Sequence, residues 1–124
     1  MPEPLHILVV DDERDTLELI DLTLRTAGYE IQVASNGLES LEKIRKNSFD
    51  VVLLDIMMPD MTGFDVLRTL KEELQDVPPV IFLTAKSLPE DREMGMSLGA
   101  KDFLIKPVTR GSLLDSIKRN TQSP

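Results

Sequence analysis

The residues best suited to chemistry in this 124-residue sequence are Asp11, Asp12, Asp55, Thr84 and Lys106, and each falls at the end of a short apolar run. Asp11-Asp12 follow Leu5–Val10, Asp55 follows Val51–Leu54, Thr84 closes Pro79–Thr84, and Lys106 follows Lys101–Ile105. In an open α/β sheet, ligands bind outside the carboxyl ends of the strands, where strand order reverses, so these groups converge on one crevice. Three carboxylates about 5 Å apart repel by roughly 3 kcal/mol per pair at an effective dielectric of about 20, or about 10 kcal/mol together; Lys106 offsets only part of that. Either one acid stays protonated or a cation binds. Oxygen donors with no histidine or thiolate nearby select a hard ion: Mg2+, Mn2+ or Ca2+. Mg2+ keeps several waters, uses one or two carboxylates and takes further oxygens from a phosphate. An aspartate can itself be the nucleophile that accepts a phosphoryl group, and a hydroxyl (Thr84) and an ammonium (Lys106) suit the remaining phosphoryl oxygens. The constellation reads as Mg2+-assisted phosphoryl transfer onto an aspartate.

Each piece alone has a plainer reading. Asp12 could be the N-cap of the first helix, with Asp15 completing a capping box. Asp55 could be a solvated strand end, Thr84 a strand terminator, and Lys106-Pro107 a turn. His6, before the first strand, reads as structural or surface. Met57, Met58 and Met61 read as loop packing. Co-occurrence favours the chemical reading: acid pair, Asp, Thr and Lys stand at four strand ends, in that order.

The elements that must position these groups follow from hydrophobic periodicity. The runs Leu5–Val10, Glu30–Ala34, Val51–Leu54, Pro79–Thr84 and Lys101–Ile105 are rich in β-branched residues and nearly continuous, as strands covered on both faces require. Between them lie helical stripes: Leu17, Ile20, Leu24 and Ala27, ending at Gly28; Leu38, Leu41 and Ile44 after a Ser35-Asn36 cap; Val66, Leu67, Leu70 and Leu74 after Gly63; and Leu113, Leu114 and Ile117 from Thr109. The fourth helix, roughly Pro89 to Leu98, is the weakest, with a thin apolar stripe and Gly95 inside it at about 1 kcal/mol relative to Ala. Five β–α units imply an α/β fold with right-handed crossovers: a doubly wound five-stranded parallel sheet in three α/β/α layers, most simply of order 2-1-3-4-5. The length fits one domain, 1–124, with a core of about 5–120 and a polar tail at 121–124. Acidic side chains outnumber basic ones, 22 to 14, for a net charge of −8, which disfavours direct nucleic-acid or anionic-membrane binding. The 41% apolar content supports a packed core, and the absence of cysteine suits a reducing compartment. No apolar run approaches the roughly 20 residues of a membrane helix, and the N-terminus MPEPLHILVV lacks the basic region of a signal peptide. The expected location is the cytoplasm.

At its polar clusters the sequence resembles the receiver domains of two-component response regulators, the CheY-like family. The segments that carry the likeness are ILVVDDE (7–13), VVLLDIMMPDMTG (51–63), VIFLTAK (80–86) and GAKDFLIKP (99–107), within a similarity running from about Leu5 to Asn120. The same flavodoxin-like strand order is implied. By this resemblance Asp55 is the phosphoacceptor. Asp11 and Asp12, with Asp55 and the backbone carbonyl of Met57, bind Mg2+. Thr84, Lys106 and the backbone N–H of Ala85 hold phosphoryl oxygens. Phe103 is the aromatic that changes rotamer when Thr84 moves, and Lys106–Pro107 is a cis peptide. Thr62 stands where the family often has Asp, Phe103 lacks the hydroxyl of the commoner Tyr, and Met57 and Lys86 occupy variable positions that influence phosphoryl loss.

The implied partner is a sensor histidine kinase or a histidine phosphotransfer protein. The signal is then read by a downstream effector through the face of helix 4, strand 5 and helix 5, or by a phosphorylation-dependent homodimer. Such a protein is a switch that at most catalyses its own phosphorylation and dephosphorylation, not an enzyme acting on other substrates. It could stand alone or be a receiver cut from a longer regulator or hybrid kinase. The weak fourth helix is the expected bistable element, which Gly95→Ala should stiffen. A flavodoxin-like electron carrier is disfavoured because Asp11-Asp12-Glu13 would repel a flavin phosphate. A haloacid-dehalogenase-type phosphatase is disfavoured because Met57 stands where a second acid is needed, and a pseudo-receiver would lack part of the constellation.

Overall fold

The computed structural model describes residues 4–85 and 88–121. Every apolar run becomes a strand and every amphipathic stretch a helix, in the order β1 (His6–Val10), α1 (Arg14–Thr26), β2 (Glu30–Ala34), α2 (Gly37–Lys46), β3 (Val51–Asp55), α3 (Gly63–Glu73), β4 (Val80–Thr84), α4 (Pro89–Ser97), β5 (Asp102–Ile105) and α5 (Arg110–Thr121). The strands are parallel in the order β2-β1-β3-β4-β5. This is the doubly wound α/β fold expected, with the order reversing between β1 and β3. Thr121 still belongs to α5; the rest of the expected tail, 122–124, and the flanking residue Lys86 lie outside the described residues.

Alternation along the strands divides the interior into two cores, because successive side chains point to opposite faces. Ile7, Val9, Leu53, Ile81 and Leu83 pack with Leu17, Ile20 and Leu24 of α1 and Leu113 and Ile117 of α5. Leu8, Val10, Val52, Leu54 and Phe82 pack with α2 and with Val66, Leu67 and Leu70 of α3. Residues of β3 and β4 are buried throughout, and each fully buried aliphatic side chain contributes about 1.5–3 kcal/mol.

Three expectations need correction. Leu38 is not part of the α2 stripe: it is 62% exposed, and Leu41 and Ile44 carry the burial. It occupies the first turn of α2, where its N–H points out of the helix and is bound elsewhere. Asp12 does not cap α1: the N-cap is Glu13, without a side-chain bond, and Asp11 instead accepts the Glu13 N–H at 2.9 Å. Met57 does not pack in its loop but is 70% exposed, whereas Met58 is buried and Met61 partly so. The Asn36 cap is present, accepting the Glu39 N–H, and Gly28 ends α1 at φ 98°, the left-handed conformation glycine tolerates. His6 is structural. Its Nδ1 lies 3.1 Å from the Ser48 carbonyl, its Nε2 3.1 Å from the Gln32 amide, and its ring rests against Phe49.

Candidate functional site

Because β1 and β3 are neighbours at the reversal, the residues leaving their carboxyl ends meet. Asp11, Asp12 and Asp55 offer carboxylate oxygens that all lie within 4.8 Å of one another. Asp11 and Asp55 are buried, and Asp12 is exposed at the rim. Lys106, delivered by the turn after β5, places Nζ 2.7 Å from Asp11 Oδ2, 3.4 Å from Asp55 Oδ2 and 3.7 Å from Glu13 Oε1. Its side chain is only 12% exposed.

At such separations each carboxylate pair repels by about 3 kcal/mol, and the side chains record it. Burial first, then the charge of Asp11, pushes the Asp55 carboxyl up to about 7, against the opposing pull of Lys106 and the Met57 N–H. Burial alone would lower the Lys106 ammonium, but the hydrogen bond to Asp11 and the charges of Asp55 and Asp11 outweigh it, so its pKa is raised. Asp11 Oδ2 is fully buried, and the Lys106 ammonium 2.7 Å away is what meets its charge. Two buried carboxylates and a third at the rim, set against one ammonium in a cluster of hard oxygens, suit a small divalent cation. The donor set therefore fits Mg2+.

The other predicted residues surround this centre. Thr84 is buried at the end of β4, and its carbonyl accepts the Lys106 N–H at 2.7 Å. Thr84 and the exposed Ala85 line a cavity of about 490 Å3 together with Met57, Thr62, Phe64 and Leu88. The Lys106–Pro107 bond is cis. Phe103 does not join the site: its buried ring stands edge-to-face with Phe82, centroids 6.2 Å apart, one layer beneath. Sequence reasoning used Glu13 only as part of a loop that repels a flavin phosphate and did not place it beside Lys106, although it directly follows the acid pair. It also passed over the Thr62–Asp65 capping box that starts α3, whose T-x-x-D spacing was visible.

The fold and this cluster define an open parallel α/β domain with an acidic crevice at its switch point. The family model for the response regulator receiver domain matches residues 7–118. The chain is 42% identical over 105 residues to the probable transcriptional regulatory protein TcrX of Mycobacterium tuberculosis, covering 85% of this chain and 44% of that protein. It is 40% identical over 118 residues to the transcriptional regulatory protein DltR of Streptococcus agalactiae, covering 95% and 52%. Among solved structures it resembles the chemotaxis protein CheY4 of Vibrio cholerae, with a TM-score of 0.87 at 34% identity, covering 94% of this chain and 98% of that one. The chain belongs to the response regulator receiver domain family of two-component systems. It spans about half the length of the curated relatives it matches. Receiver domains are signalling switches rather than classical enzymes, bind Mg2+ through acidic residues, and pair with histidine kinases. No helix among the described residues is long and apolar enough to cross a membrane.

Proposed function

We propose that this domain accepts a phosphoryl group on Asp55 from a phosphohistidine of a sensor kinase or phosphotransfer protein. Asp11, Asp12, Asp55 and the Met57 carbonyl would hold Mg2+, with Mn2+ or Ca2+ as substitutes. The observation that carries this reading is the convergence of the Asp11, Asp12 and Asp55 carboxylates within 4.8 Å of one another, with the single ammonium of Lys106 against the two buried ones. Bound Mg2+ would neutralise charge gathering on the phosphoryl oxygens during transfer. An Asp55 carboxylate oxygen attacks phosphorus in line; the phosphorus–nitrogen bond of the donor breaks, and its electron pair stays on the imidazole nitrogen. Lys106, already between Asp11 and Asp55, pairs with one phosphoryl oxygen, while the Thr84 hydroxyl and the Ala85 N–H take others. The groove beside Lys106, about 500 Å3 and lined by Glu13, Thr16, Leu19, Ala85 and Pro107, leaves room for the donor ring.

The output reading rests on the opposite flank. Leu88, Met94, Met96 and Ile105 are exposed on α4, its leading loop and β5, an apolar surface suited to a partner or a second copy. Thr84 drawn toward the phosphoryl group, and Phe103 repacking behind it, would shift populations across α4, β5 and α5. The curated relatives are transcriptional regulatory proteins of about twice the length, which favours a cytoplasmic receiver, 1–124, controlling a DNA-binding effector rather than touching nucleic acid itself. The test is to incubate the protein with Mg2+ and a small-molecule phosphodonor and follow intact mass. One phosphoryl adduct is expected, absent in Asp55→Asn and absent with chelator; an adduct retained by Asp55→Asn contradicts the assignment.

A further inference from the structure

Asp60 stands in the loop of residues 56–62 that leads from Asp55 to α3, yet its carboxylate serves a different helix. Oδ1 accepts the Gly37 N–H at 3.0 Å and Oδ2 the Leu38 N–H at 2.9 Å, the first two N–H groups of α2. The next, Glu39, is taken by α2's own cap Asn36 at 2.8 Å. Beside this junction Met61 fills the space where a Cβ on Gly37 would stand. The base of the loop is closed by Gly63 N–H to the Ile56 carbonyl at 2.8 Å, and its exit by the Thr62–Asp65 capping box. The loop is thus anchored at its base, where Ile56 and Met58 are buried in the core and the Ile56 N–H binds the Leu83 carbonyl, and it reaches α2 through Asp60 and Met61. Between these anchors lies Met57, whose N–H faces Asp55 Oδ1 at 3.4 Å.

We infer that Asp60 is a positioning residue for the metal and phosphoryl site: by binding two N–H groups of a helix to which it does not belong, it fixes the loop that carries the Met57 backbone beside Asp55. Asp60 lies outside the acidic cluster, and both its oxygens are taken by N–H groups of α2. Burial nudges its carboxyl up, but the N–H groups of Gly37 and Leu38 outweigh that and keep it below the usual carboxylate range, so it remains charged in this role near neutrality. Groups that orient the ligands of a metal, without touching it, commonly govern its affinity by tenfold or more. This inference rests on the Mg2+ reading above.

Calorimetric Mg2+ titration near pH 8 of wild type, Asp60→Ala, Asp60→Asn and Asn36→Ala, with thermal unfolding of each metal-free protein, tests it. Asp60→Ala should bind Mg2+ about tenfold more weakly. Asp60→Asn keeps one acceptor oxygen but turns a donor NH2 toward the second N–H, and should bind with an affinity between those of wild type and Asp60→Ala. Asn36→Ala removes α2's own cap and should lower the Tm while leaving affinity unchanged. Wild-type affinity in Asp60→Ala overturns the inference. So does equal weakening in Asn36→Ala, which would trace to helix stability. If wild type binds no Mg2+, the reading of the site itself fails, and this inference with it.

Discussion

Asp55 is pulled two ways: burial and the neighbouring Asp11 favour its protonated form, whereas its proposed work requires the anion. The sign of the resulting pH dependence follows from linkage. Its folded pKa of about 7 lies above the unfolded value, so between about pH 4 and 7 the folded chain holds a proton that the unfolded chain has released. That contribution is fully present below the unfolded pKa and is lost as pH rises through 7. In chelator, stability should therefore fall between pH 5 and 8 by on the order of 2 kcal/mol from this group, and Asp55→Asn should remove the decline and be more stable than wild type at pH 8. Thermal unfolding across that range checks it; a wild type that loses nothing, or an Asn variant that is less stable at pH 8, would show that the carboxylates are not in conflict. Lys106 acts in the opposite window, its raised pKa contributing stability below its ordinary value and losing it only in strong alkali. The acids and the lysine were legible because a charged residue directly after an apolar run is visible in one dimension. Asp60 was not, because its partners, Gly37 and Leu38, lie more than twenty residues back, and nothing local marks a carboxylate that caps a distant helix.

Helices and strands were mostly legible, since near-continuous β-branched runs and 3.6-residue stripes leave few alternatives. The exceptions are instructive. Leu38 fits the stripe of α2 by spacing, but its side chain is turned to solvent while Gly37, Ser40, Leu41 and Ile44 take the buried face. Gly95 was read as a weakness in α4 that alanine would repair. The structure gives it a purpose: a Cβ would stand 3.0 Å from Cδ2 and 3.1 Å from Cε2 of Phe82, and 3.6 Å from Cδ2 of Phe103. Gly95 is also the buried residue of α4, the contact through which this helix lies on the aromatic pair. Alanine gains about 1 kcal/mol of helix propensity, whereas overpacking costs about 1–3 kcal/mol. Gly95→Ala is therefore expected to destabilise by about 1 kcal/mol net and to speed amide exchange along 89–97, where the sequence alone suggested stiffening. Slower exchange with an unchanged Tm would show that Phe82 yields freely and that propensity governs.

At the scale of the molecule, the sheet's order does the assembling. Placing β1 beside β3 brings together acids 44 residues apart in the chain, with a lysine from the far edge turned over them. The strand order was legible as the simplest double winding of five β–α units and through the family resemblance, because hydrophobic patterning fixes which segments are strands but not which are neighbours. One of the two cores then connects the crevice to the outer flank: Phe82 touches Phe64 of α3 on one side and Phe103 of β5 on the other, so a change at the strand ends has a packed route to α4 and β5. Allosteric coupling through such a route is commonly worth about 1–3 kcal/mol. All of this depends on the crevice taking a hard cation. The most direct measurement is Mg2+ binding near pH 8 by calorimetry, comparing wild type with Asp12→Asn, which removes the rim carboxylate without disturbing the buried pair. Saturable binding of one ion per chain, clearly weakened in the variant, is the expected result; no binding, or identical affinities in the two proteins, would contradict it.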